Sequence, residues 1–205
     1  ERTVTPRLLL LSGQPAVVVT GPSDPVGPSG AHLVPLAPDL ARYGAPVPVT
    51  RGSFTWGQPA SQGERFAVCW GTGAGNVVRV YDAAGAPVTS VATLSSTAAS
   101  PCFGSAYGGD RFAFAYRERT TAGGLSVVVR LVDTASGEPA ERLEIPIVDD
   151  SQDASLVATR DGFAVAVPGD PTRLFTLDVR ARIVVERTVE ASSAVRIVPS
   201  GDHQL

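Results

Sequence analysis

The stretch best suited to cofactor chemistry is the glycine-rich run "GTGAGN", residues 71–76. Backbone N–H groups in such a run can hold a phosphate, but a dinucleotide fingerprint needs a third glycine and must open a helix. Asn76 stands where that third glycine should be, and a β-type segment, "VVRVYD", follows it. We therefore predict a hairpin loop, because Gly and Asn tolerate the positive φ angles of tight turns. No cofactor is predicted.

Aspartate recurs at one point of the pattern, in "APD", "VYD", "LVD" and "TLD". The positions are Asp39, Asp82, Asp133 and Asp178. These carboxylates could bind calcium only if they converged on one ion. Each one instead ends an apolar segment just before turn residues, where an Asp side chain accepts hydrogen bonds from the following backbone, so we predict turn formation. The two histidines, His32 and His203, have no metal or triad motif around them, and no metal site is predicted.

An internal repeat supplies the elements that position these residues. The segments "GERFAVCW", "GDRFAFAY" and "RDGFAVAV" place Phe66, Phe112 and Phe163 at intervals of 46 and 51 residues, and "QPAVVVTG" is a looser fourth copy. The aspartates follow the same period. Each unit contains four short β segments separated by turn signals, and no window has helical periodicity. The predicted units are residues 6–50, 51–97, 98–149 and 150–191, with the start of a further unit at 192–205.

Units of four strands and about 45 to 50 residues are typical of the blades of a β-propeller. Large and small residues alternate in the predicted second strands, as in Phe66, Val68 and Trp70 against Ala67 and Cys69. Alternate residues point to opposite faces of a sheet, so one face is bulky, the other is small, and neighbouring sheets can interlock. The predicted strands include residues 65–70, 77–82, 111–116, 127–133, 163–167 and 173–179.

Units such as "FAVCW" followed by "VRVYDAAGAPV" resemble the degenerate β-propeller repeats of secreted or surface proteins of bacteria. The resemblance covers most of the chain. It implies an all-β, β-propeller-like array of about four four-stranded blades, and that group has no shared catalytic residues to carry over. "ERTV" occurs at residues 1–4 and again at 186–189, so we expect a section of a larger ring or an incomplete chain.

Two aromatic residues, Trp56 and Tyr107, are the candidates for ligand binding. Both lie on predicted first strands, which would line the central channel, where an aromatic ring can stack on a sugar or a peptide. The alternative is that both pack between blades. Trp70 and Tyr116, at the ends of second strands, are predicted to pack.

Cys69 and Cys102 are the two cysteines of the chain. Cys69 takes a small-residue position, hence the face that meets a neighbouring blade, and Cys102 comes just before the next first strand. We predict a disulfide between them, with buried free thiols as the alternative. A disulfide indicates an oxidising compartment and so an extracellular, periplasmic or cell-surface location. Because the chain begins at Glu1 without an initiator Met, we expect that a leader was removed.

The charge pattern limits the classes of partner that the chain is expected to bind. The chain has 17 basic residues, all Arg, against 20 carboxylates, a net charge of −3 and no basic cluster, which does not favour binding to nucleic acid or an anionic membrane. Its apolar runs are far shorter than the ~20 residues of a transmembrane helix.

Two functions remain as hypotheses. The preferred one is a non-enzymatic binding or scaffold module that presents a propeller face to a protein or glycan partner. The alternative is a glycan-active hydrolase or lyase whose carboxylates converge on the propeller channel. Glu64, Asp110 and Asp161, just before three second strands, are the candidate carboxylates for that alternative.

Overall fold

The protein is all-β throughout the part of the chain that its computed structural model describes. These residues are 5–22, 29–37, 39, 44–50, 55–148, 153–190 and 197. They form sixteen strands in four antiparallel sheets of four strands each. In every sheet the neighbouring strands follow one another along the chain, so each sheet is a meander. The prediction of an all-β array of four-stranded blades is confirmed.

The sheets are numbered here in chain order. Sheet 1 contains β1 (Thr5–Leu11), β2 (Gln14–Pro22), β3 (Ser29–Pro35) and β4 (Val47–Pro48). Sheet 2 contains β5 (Thr55–Gln62), β6 (Arg65–Thr72), β7 (Gly75–Asp82) and β8 (Ala92–Ser95). Sheet 3 contains β9 (Gly104–Gly108), β10 (Arg111–Arg119), β11 (Leu125–Asp133) and β12 (Pro139–Ile147). Sheet 4 contains β13 (Ser155–Thr159), β14 (Gly162–Val167), β15 (Thr172–Asp178) and β16 (Ile183–Val189).

The six predicted strands are all present, as β6, β7, β10, β11, β14 and β15, and their ends lie within three residues of the predicted ends. The predicted further unit at 192–205 lies outside the described residues, except for residue 197. The repeated "ERTV" at residues 1–4 also lies outside them, whereas its second copy forms the end of β16.

Large and small faces interlock between neighbouring sheets. The bulky face of β6 lies in a core with sheet 1, and its small residues, Ala67 and Cys69, lie in a second core with sheet 3. In that second core they pack with Phe112, Phe114 and Tyr116 of β10. The alanines on the other face of β10 lie in a third core with β14 of sheet 4. At the interfaces of sheet 2 with sheet 3 and of sheet 3 with sheet 4, a bulky second strand therefore meets the small residues of the preceding second strand.

The first strands contact one another in chain order, β1 with β5, β5 with β9, and β9 with β13. The Ser105 hydroxyl of β9 donates a hydrogen bond to the carbonyl of Pro59 in β5, at 2.7 Å. This is the arrangement expected of blades that converge at their first strands. On sheet 1, Leu8 and Leu10 of β1 lie on the face that points away from sheet 2, and they are 64% and 62% exposed.

Three of the recurrent aspartates, Asp82, Asp133 and Asp178, form the turns between third and fourth strands. The Oδ1 atom of each accepts two backbone N–H groups, at 2.8 to 3.0 Å. The prediction of turn formation is confirmed for these three. Asp39 lies next to residues outside the described part.

These hydrogen bonds lower the pKa of two of the aspartates. The N–H group of Ser136 is the main cause at Asp133, and that of Arg182 is the main cause at Asp178. Arg111 also forms an ion pair with Asp133. Each of these turns is therefore most stable while its carboxylate is ionised.

Replacing Asp133 by Asn is expected to make stability less sensitive to acid. A carboxyl group whose pKa is lowered by folding stabilises the protein above its unfolded pKa of about 4, and this contribution is lost as the pH falls through the folded pKa. The wild type should therefore be more stable than Asp133→Asn at neutral pH, and this difference should shrink as the pH falls below about 4 and through the folded pKa of Asp133. Urea unfolding across this pH range measures the difference. A difference that stays constant with pH would contradict the expectation.

The predicted disulfide joins Cys69 of β6 to Cys102, with their Cα atoms 6.1 Å apart. Both residues are fully buried in the core between sheets 2 and 3. Cys102 lies near the end of the connection from sheet 2 to sheet 3, residues 96–103. The bond therefore ties this connection to β6, a middle strand of sheet 2.

Removing the disulfide is expected to lower the free energy of unfolding. In the chain-entropy model, a loop closed across 33 residues contributes on the order of 3 to 4 kcal/mol. The double variant Cys69→Ala/Cys102→Ala should lose about that much in denaturant unfolding. Added reductant should destabilise the wild type and leave the variant unchanged. Two alkylatable thiols in denatured, unreduced wild-type protein would refute the bond.

Candidate functional site

A cleft of about 600 Å³ opens beside sheet 3, where the connection from sheet 2 pairs with the end of β10. Thr97 and Ala98 of the sheet connection line one side of it. The end of β10 with its following turn, residues 118–121, and the side chains of Arg142 and Glu144 on β12 line the rest. Its volume falls within the range of about 300 to 1,000 Å³ that is usual for small-molecule sites.

Glu118 is at the centre of the polar network in this cleft. Its Oε2 atom accepts a hydrogen bond from Arg142 at 2.8 Å, and Arg142 also donates to Glu144 at 3.1 Å. Its Oε1 atom accepts hydrogen bonds from the hydroxyls of Ser95 and Thr97. The Glu118 side chain is only 12% exposed, whereas that of Arg142 is 39% exposed. The charged groups thus hold one another in place and Arg142 reaches the solvent.

Strand alternation explains why Glu118 lies at this position. Phe112, Phe114 and Tyr116 point from β10 into the core between sheets 2 and 3, and Glu118 is the next residue on the same face. Tyr116 is fully buried, as predicted, and its hydroxyl donates to the carbonyl of Leu94 at 3.2 Å. Burial raises the pKa of Tyr116. The cleft therefore begins where the apolar core ends.

The connection between sheets 2 and 3 forms one wall of the cleft because it pairs with β10 beyond the end of β9. β9 pairs with residues 111–115 of β10. Beyond these, Ala98 forms an antiparallel bridge with Glu118, and the N–H group of Ala99 donates to the carbonyl of Arg117 at 2.8 Å. The connection is thus fixed to sheet 3 as well as to sheet 2.

A second cavity, of about 260 Å³, adjoins the cleft at Ala98. It is lined by the β6–β7 turn and by the connection between sheets 2 and 3. The buried side chain of Asn76 donates from Nδ2 to the carbonyl of Ser100 at 2.9 Å, which joins the turn to the connection. The disulfide at Cys102 holds the same segment from its other end.

The glycine-rich run is a hairpin, as predicted. β6 ends at Thr72, β7 begins at Gly75, and a strand follows the turn. Gly75 has a φ of +122°, and a Cβ atom there would lie 2.0 Å from the carbonyl oxygen of Ser95. By contrast, a Cβ atom at Gly73 would meet nothing within 4 Å. The hairpin therefore requires glycine at position 75 for both conformation and packing.

Gly75→Ala is expected to destabilise the chain by roughly 2 kcal/mol or more, because it combines an unfavourable φ with a clash against backbone. Gly73→Ala is the matched control, since it adds the same methyl group two residues away in open space. Thermal unfolding of both variants measures the contrast. Equal melting temperatures for the two variants would show that the turn does not need glycine at position 75.

The structure places Tyr107 at the opposite end of β10 from the cleft. Its ring lies against Phe112, with centroids 5.5 Å apart, and packs on the core between sheets 2 and 3. Its hydroxyl donates to Asp110 at 3.1 Å, and burial together with Asp110 raises the pKa of Tyr107. Trp56 lies in β5 beside an irregularity in the pairing with β6, and its side chain is outside the described part. Ligand binding at these two residues stays a prediction.

Glu64, Asp110 and Asp161 occupy equivalent turns between first and second strands, at the end of the array where Tyr107 lies. All three are exposed. The structure does not bring them into the cleft, which lies at the other ends of the second strands. The part of the chain that is described holds no group of three or more His, Cys, Asp or Glu suited to a metal ion.

Glu118, Arg142 and Glu144 were not identified from the sequence. The sequence feature that could have pointed to these residues is the pair of charged segments "YRER", at the end of β10, and "ERLE", on β12. Glu118 and Arg142 are 24 residues apart, and they meet only because β11 lies between β10 and β12 in a fixed register. Without that register, both segments look like ordinary solvated strand ends.

In comparisons with known proteins, no family model and no curated protein matches the chain. Among the described residues, no helix is long and apolar enough to cross a membrane.

Proposed function

We propose that the chain is a non-enzymatic binding or scaffold module that presents the cleft beside sheet 3 to a protein or glycan partner. The observation that carries this proposal is the network in which Arg142 joins Glu118 and Glu144 at the cleft. Side chains held in this way are already ordered, so they lose less conformational entropy when a partner binds.

The same network favours binding over catalysis. Glu118 accepts hydrogen bonds at both carboxylate oxygens, and Glu144 accepts one from Arg142 and one from the hydroxyl of Ser126 at 3.1 Å. Both carboxylates are thus engaged with the same guanidinium group, whereas a glycosidase needs a pair of carboxyl groups that face the glycosidic bond of the substrate. The exposed turn positions of Glu64, Asp110 and Asp161 do not favour a shared catalytic centre either.

We also propose that the protein acts outside the cytoplasm, as an extracellular, periplasmic or cell-surface protein of the bacterial propeller-repeat type. The Cys69–Cys102 disulfide supports this location because such bonds persist in oxidising compartments. The four meander sheets and their interlocking faces support the propeller-repeat type. A fold alone does not define an activity, so the cleft is the feature to test.

Arg142→Gln is expected to lower affinity for the partner about tenfold or more, because the cleft loses its solvent-reaching cation and the two carboxylates lose their link. Arrays of immobilised glycans and of peptides, probed with the purified chain, identify the partner. Binding of each variant to the same arrays measures the change in affinity. Arg173→Gln is the matched control, since it removes an ion pair to Glu186 from a side chain of similar exposure, 36%, on sheet 4. This control should bind as the wild type does.

Two results would contradict the proposal. One is equal binding by the wild type and Arg142→Gln, which would place the partner elsewhere. The other is release of reducing ends from a bound glycan by the wild type, which would make the protein an enzyme.

A further inference from the structure

Resting on the proposed binding function, we infer that the partner is a neutral oligosaccharide chain that spans both cavities beside the sheet connection, the cleft and the smaller cavity at the β6–β7 turn. The two cavities adjoin at Ala98, which lines each of them. Together they form one site that extends from β12 of sheet 3 to the β6–β7 turn of sheet 2. A ligand that fills this site must be elongated.

The charges of the site favour an uncharged ligand. Among the described residues, two arginines, Arg119 and Arg142, and two glutamates, Glu118 and Glu144, line the cleft, so the formal charges of this lining cancel. None of the described residues that line the smaller cavity is charged. A neutral chain can bind with the pairing of Arg142 to the two glutamates intact, whereas a charged chain that engaged these three groups would have to disrupt that pairing.

The lining groups match hydroxyl groups better than apolar side chains. Carboxylates and threonine hydroxyls accept hydrogen bonds, and guanidinium N–H groups, amides and hydroxyls donate them, so hydroxyl groups can pair with the site in both directions. An extended peptide usually needs apolar pockets for its alternate side chains. Among the described residues that line the cleft, Ala98 is the one apolar residue. These features favour a glycan chain over a peptide.

The site is rigid along its length, which suits a ligand that must contact both cavities at once. The connection is bonded to β10 through Ala98 and Ala99, to the β6–β7 turn through Asn76, and to β6 through the disulfide. With both cavities fixed relative to each other, sugar units that occupy them act as linked ligands, and affinity should rise with chain length.

Calorimetric titration with neutral oligosaccharides of increasing length tests this inference. Each oligosaccharide series is built from a neutral glycan that binds to the wild-type chain on the glycan array. Wild-type affinity should rise with length and then level off when both cavities are filled. Gly73→Trp places a bulky side chain in the smaller cavity at a position with open space for its Cβ atom. It should weaken the longest chains about tenfold and leave the shortest unchanged.

Two further variants complete the design. Thr121→Trp fills the cleft from its exposed turn and should weaken chains of every length. Val148→Trp changes a fully exposed residue outside both cavities and should have no effect. Circular dichroism of each variant verifies that the β-sheet content is unchanged.

The experiment separates a failure of the spanning site from a failure of the proposed binding function. If glycans bind, but affinity does not depend on length or Gly73→Trp has no selective effect, the spanning site is wrong and the binding function stands. Binding of anionic glycans or of peptides alone would also overturn the inference and leave the binding function in place. If neither glycans nor peptides bind in a manner that depends on Arg142, both proposals fail.

Discussion

The fit of a bulky sheet face against a small one is the constraint on which the rest of this structure depends. It brings Phe112, Phe114 and Tyr116 of one sheet against Ala67 and Cys69 of the sheet before it, and all five side chains are fully buried. Protein interiors pack as densely as organic crystals, so such a fit sets both the distance and the register between sheets. The positions of the loops follow from it.

The cleft illustrates how this packing produces a polar site. Where the apolar face of β10 ends, the same row of side chains continues with Glu118, and a gap opens beside it. The connection between the sheets occupies part of that gap and is held from both sides, by backbone pairing and by the disulfide. A small-residue position that serves packing in other blades carries Cys69 here, so the disulfide uses a contact that the repeat already makes.

Much of this fold follows from local patterns in the sequence. Alternation and turn residues define the second and third strands, the aspartate turns and the glycine hairpin, because each depends on neighbours a few residues away. The disulfide could be predicted as well, since the repeat indicates which face Cys69 occupies. The cleft could not be predicted from the sequence. Glu118, Arg142 and Glu144 come together through the register of three strands and a connection that lies on a neighbouring sheet, and no local pattern encodes that arrangement.

The order of the faces has a consequence for how such chains change during evolution. Every second strand in sheets 2 to 4 directs its bulky side toward the preceding sheet, so a whole unit duplicated in place meets a small face before it and a bulky face after it. A gene can therefore gain or lose whole units of this kind while each new interface still pairs a bulky second strand with a small one. Recombination that breaks a unit in the middle would pair unmatched faces, and selection would remove it.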